Sequence, residues 1–94
     1  VREMPMKPSV TFSNAISDSF STVDLTCSDQ MGLLFQVAKV FNDLKLNVHG
    51  AVLTTEADKA LDSFYVTDSA NRKLADTELV DLIVTTLINE LSDP

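Results

Sequence analysis

Glycine is scarce in this chain: Gly32 and Gly50 are the only two among 94 residues. A turn that needs a left-handed backbone must therefore mostly use another residue. There is a single cysteine, Cys27, so no internal disulfide framework exists, which fits a reducing compartment. His49 is the only histidine and tryptophan is absent. No second His or Cys lies at a metal-ligand spacing from His49, which reads as a packed or interface residue. No catalytic residue, metal site or cofactor is expected.

Basic residues are also few. Seven Lys and Arg face fourteen Asp and Glu, for a net charge of −7, which disfavours nucleic acid and anionic membranes as partners. No apolar run approaches the roughly 18 residues of a membrane span, and nothing resembles a signal peptide. A soluble intracellular protein, cytoplasmic or plastid, is the expectation. The chain opens on Val1, as a processed protein or a domain cut from a longer one would. Segment 1–7 reads as disordered or tag-like and 8–92 as a single domain, since a chain of this size supports one modest core.

The remaining residues set out six elements. Val10 and Phe12 alternate with Ser9, Thr11 and Ser13, a short strand behind Pro5 and Pro8. Val23, Leu25 and Cys27 alternate with Thr22, Asp24 and Thr26, a half-buried strand. Ser28 or Asp29 can cap the helix in which Leu33, Leu34, Val37, Ala38, Phe41 and Leu44 recur at helical spacing. Leu46 to Thr55 and Leu61 to Thr67 are strand-like, joined by the short polar turn Glu56-Ala57-Asp58-Lys59. Asn71 suits a left-handed turn position. Asp76 or Thr77 can cap a last helix carrying Leu79, Val80, Ile83, Leu87 and Leu91.

The order β-β-α-β-β-α predicts an α+β, ferredoxin-like sandwich: a four-stranded antiparallel sheet with two helices on one face. Leu46 to Leu53 hardly alternates. Val48, Ala51, Val52 and Leu53 would place apolar groups on both faces, one against the helices and the other against a partner module. Asp62 and Asp68 read as strand-end carboxylates. The segment Asp29-Gln30-Met31-Gly32-Leu33-Leu34 opens the first helix, where free backbone N–H groups suit a carboxylate and a missing Cβ permits close approach.

Four runs in this order resemble an ACT domain: Asp29-x-x-Gly32-Leu33-Leu34, Leu44-x-Leu46-Asn47-Val48-His49-x-Ala51, Asp62-x-Phe64-Tyr65-Val66-Thr67-Asp68 and Arg72-Lys73-Leu74. The opening Val10-x-Phe12-x-Asn14 fits the subgroup found at the end of the bacterial uridylyltransferase that senses glutamine and in plant ACT-repeat proteins. The resemblance spans Val10 to Leu91. It implies a non-catalytic regulatory module that binds a small amino acid, with glutamine a candidate, where modules pair as a homodimer or with another ACT module. It also implies that Asp29, Gln30, Met31, Gly32 and Leu33, with Asn47 and Val48, face the effector. Backbone N–H groups around Gly32 would then hold a carboxylate, and Asp29 and Asn47 an ammonium or amide. Met31 stands where the family often has proline, and Gln30 where it has a basic residue. Ala57 and Asn71 replace turn glycines. The rival reading is a degenerate ACT domain that serves only dimerisation or protein–protein interaction.

Overall fold

The computed structural model describes residues 7–92, so the expected tag-like segment lies, apart from Lys7, outside the described residues. Six elements follow in the expected order: β1 (Ser9–Ser13), β2 (Ser21–Ser28), α1 (Leu33–Asp43), β3 (Asn47–Glu56), β4 (Lys59–Thr67) and α2 (Thr77–Leu91). The strands form one sheet in the order β1-β2-β4-β3, and every neighbouring pair is antiparallel. Because β2 and β3 both oppose β4, they run parallel to each other, and α1 is the crossover that returns the chain between them.

Period-two alternation decides the two faces of the sheet. Val23, Leu25 and Cys27 of β2 stand opposite Phe64, Asp62 and Ala60 of β4, and all six are buried. The helices close over this face. Leu33, Val37, Val40 and Phe41 come from α1, and Ile83, Leu87 and Leu91 from α2. The Phe41 and Phe64 rings meet edge-on with centroids 5.4 Å apart. Val10 and Phe12 of β1 pack against the margin of the same core.

No residue of β3 belongs to that core. Its ten residues are exposed throughout except for half-buried Gly50. The doubly covered strand expected from Leu46 to Leu53 is therefore a free edge here. Val48, Val52 and Leu53 are each about half exposed, and Ala51 is exposed too. The apolar composition was read correctly, but the helices do not bury the side chains of this strand. A bulge between Val48 and Gly50 also interrupts the register of β3 against β4, and His49 sits at it. Its Nε2 lies 2.7 Å from the Thr67 hydroxyl and its ring stacks on Phe20.

Scarce glycine is met by other residues in left-handed conformations. Asn71 does so, as expected, with φ 61°, and Ala57 in the β3–β4 turn has φ 54°. Lys45 (φ 64°) ends α1: its N–H donates to the Asn42 carbonyl and that of Leu46 to the Phe41 carbonyl. That pair of bonds satisfies the last helical carbonyls and turns Leu46 into the core. At the other helix, Asp76 accepts from the N–H groups of Glu78 and Leu79, which settles the cap between the two candidates.

Ala57 and Lys45 each hold a strained backbone, so Ala57→Gly and Lys45→Gly are expected to stabilise the fold by about 1 kcal/mol each in urea unfolding. Lower stability in both variants would contradict this. Phe41→Ala is expected to cost about 3–5 kcal/mol in the same assay.

Candidate functional site

The chain leaves β2 at Ser28 and enters α1 at Leu33 through a short loop pinned to the far hairpin. The Asp29 N–H donates to the Asp58 carbonyl at 2.8 Å, and the Leu33 N–H to the Gln30 carbonyl at 3.2 Å. Neither Ser28 nor Asp29 caps α1. The cap position is Gly32, with φ 79°, and no side chain accepts from the first turn. A Cβ built on Gly32 would meet nothing within 4 Å. Glycine is required here for its left-handed backbone, and close approach of the neighbouring strand is not the reason.

Between this loop and the sheet lies an open cleft of about 330 Å³, at the small end of ligand sites, which run to about 1,000 Å³. Asp29, Gln30, Gly32 and Leu33 line it, joined by Leu34, Phe35, Leu53, Thr55, Ala60 and Asp62. Met31 is fully exposed and is not among the residues that line the cleft. Among the described residues no basic side chain lines it, so the uncapped N–H groups of α1 are its positive end.

Asp62 is the residue that sequence reasoning misplaced. It lies inside β4, on the helix-facing side opposite Leu25, and is 5% exposed. Its Oδ1 accepts from the Thr54 N–H at 3.2 Å. Burial pushes its carboxyl above the ordinary value, the Thr54 bond opposes this, and nearby Asp29 adds to the rise. The signal was present in the sequence. In Ala60-x-Asp62-x-Phe64-x-Val66 a carboxylate occupies the inward phase of an alternating strand. Asp68, by contrast, does follow the strand end and accepts from the N–H groups of Ala70 and Arg72. Burial and the charges of Asp62 and Asp29 raise the Cys27 thiol, so it packs as an unreactive hydrophobe.

Asn47 and Val48 are not at this cleft. They begin β3, whereas Leu53 and Thr55 near its end form the cleft wall. Eight residues of strand separate Asn47 from Thr55, roughly 26 Å. The Asn47 amide donates instead to the Asn71 side chain at 3.1 Å and the Asp68 carbonyl at 3.4 Å. Within one chain the expected site residues thus form two separate groups.

A carboxyl raised in the fold holds its proton more tightly folded than unfolded, so it costs stability at neutral pH and the cost vanishes as pH falls. Asp62→Asn keeps the bond to Thr54 and removes the charge. It is expected to raise the melting temperature at pH 7, with the difference from the wild-type chain closing below about pH 4. Equal melting temperatures at pH 7 would contradict a desolvated carboxylate. Gly32→Ala is expected to destabilise by about 1 kcal/mol through backbone strain alone.

Comparison with known proteins adds two matches. The family model described as ACR9-like, ACT-like domain matches residues 9–94. A bifunctional uridylyltransferase/uridylyl-removing enzyme of Ectopseudomonas mendocina is 30% identical over all 94 residues, but the chain spans only about a tenth of that enzyme's length. No solved structure matches the chain. Among the described residues no helix is long and apolar enough to cross a membrane.

Proposed function

The chain belongs to the ACT-like domain family, and from that premise we propose that it is a non-catalytic regulatory module that binds a small amino acid where two modules meet. The observation that carries this reading is the division of the candidate residues between the two ends of an unpaired apolar strand. A second copy adding its β3 antiparallel about a two-fold axis near Ala51 would bring its Asn47 beside Thr55 of the first chain. Each loop would then face the strand start of the other module. The same pairing would cover Val48, Ala51, Val52 and Leu53, which are exposed in the single chain.

The chemistry of the cleft supports an amino acid as effector. The uncapped start of α1 can receive its carboxylate. Asp29 and the incoming Asn47 supply groups for an ammonium or a side-chain amide. Glutamine therefore remains the leading candidate. The uridylyl chemistry named for the bacterial relative concerns a protein roughly ten times longer.

The free apolar edge also supports a second reading, in which β3 pairs modules and the cleft stays empty. Thermal melts with each of the twenty amino acids separate the two. An effector at about a hundred times its Kd adds about 2.7 kcal/mol, a shift of more than 10 °C for a domain of this size. No shift with any amino acid would leave assembly alone. Under either reading Val52→Asp or Leu53→Asp is expected to abolish dimerisation in sedimentation, and a wild-type chain monomeric at all concentrations would contradict both.

A further inference from the structure

We infer that Asp62 reads the charge of the effector: its carboxylate, on the cleft floor, takes the ammonium of an amino acid whose carboxylate lies on the start of α1, and it turns away dicarboxylic amino acids. This rests on the effector reading above. Asp62 was expected at a strand end, yet it stands inside β4 within the cleft wall and is 5% exposed. The Thr54 N–H engages Oδ1, while Oδ2 carries no hydrogen bond among the described residues and keeps some exposure to solvent.

The surroundings give that free oxygen a meaning. A buried carboxylate needs a cation or several donors to offset its lost hydration, and among the described residues a backbone N–H, that of Thr54, is its one partner. Among the described residues no Lys, Arg or His lines the cleft, so a ligand's ammonium would supply the missing charge. The second carboxylate of the lining, Asp29, has the same sign and would repel an extra acid group on the ligand. At the opposite wall the first turn of α1 has no side-chain cap and offers partial positive charge. The cleft is therefore dipolar, negative on the sheet side and positive on the helix side. A zwitterion matches it end for end. Leu33, Leu34, Phe35 and Leu53 leave apolar walls for the ligand's carbon chain.

A purely structural role would be to hold β3 through Thr54, and asparagine preserves that bond. Calorimetric titration of the twenty amino acids into the wild-type chain, Asp62→Asn and Asp29→Asn tests the point, with ligand-free melts confirming that each variant is folded. The wild-type chain is expected to bind a neutral amino acid such as glutamine at least about tenfold tighter than glutamate or aspartate. Asp62→Asn is expected to lose about tenfold or more of that affinity and to narrow the gap to the dicarboxylic pair, with Asp29→Asn losing less. Wild-type affinity and an unchanged gap in folded Asp62→Asn would overturn the role of Asp62 and leave the effector reading standing. Binding of none of the twenty by the wild-type chain would overturn both.

Discussion

Two helices cover a four-stranded sheet and leave its edge strand β3 outside the buried core. α1 and α2 bury the inward residues of β2 and β4 and lean on β1, and no residue of β3 joins the core. An edge strand exposing Val48, Val52 and Leu53 leaves both an apolar surface and a row of unpaired backbone groups. The same shortfall opens the cleft, because the start of α1 overhangs Leu53 and Thr55 without closing onto them. Free edge and open cleft both follow from that shortfall, while the division of the site residues follows from the direction of β3.

Within this frame the loop Asp29 to Leu33 is held by backbone bonds, and Gly32 takes its left-handed turn without the strain a side chain would bring. Elsewhere the chain accepts strain at Lys45, Ala57 and Asn71. A left-handed residue costs on the order of 1–2 kcal/mol, which is large against the stability of a small domain. Glycine is thus kept at the helix start beside the cleft, while the hairpin and the end of α1 manage without it. Asp62 adds a second cost at the same place. Its ionised form is only partly compensated in the ligand-free chain, as expected of a group arranged for a partner.

The order of elements was legible because each change of hydrophobic period is sharp: alternation through Cys27, helical spacing from Leu33, alternation again through Val66. Asn71 and Asp76 were legible because their side chains carry the local preference. Coverage of β3 was not, since an apolar strand has the same composition whether its own helices or another molecule cover it. The cap of α1 was misread because Ser28 and Asp29 have capping side chains, whereas the loop geometry places Gly32 at that position. Asn47 and Val48 were correctly attached to the start of β3, but the direction of that strand puts them at the end away from the loop. Asp62 was overlooked because spacing from Asp68 was weighed and the inward phase of the strand was not.

The most direct measurement is complementation between two variants, each lacking one half of the divided site. Asn47→Ala keeps the loop and loses the strand start; Asp29→Ala does the reverse. Each alone is expected to bind the effector poorly. If the site is shared across a two-fold pair, mixing and re-equilibrating them assembles mixed dimers with one intact site, restoring about a quarter of wild-type binding capacity. Capacity that stays at the level of the separate variants, with mixed dimers shown to form, would contradict a site built from two chains.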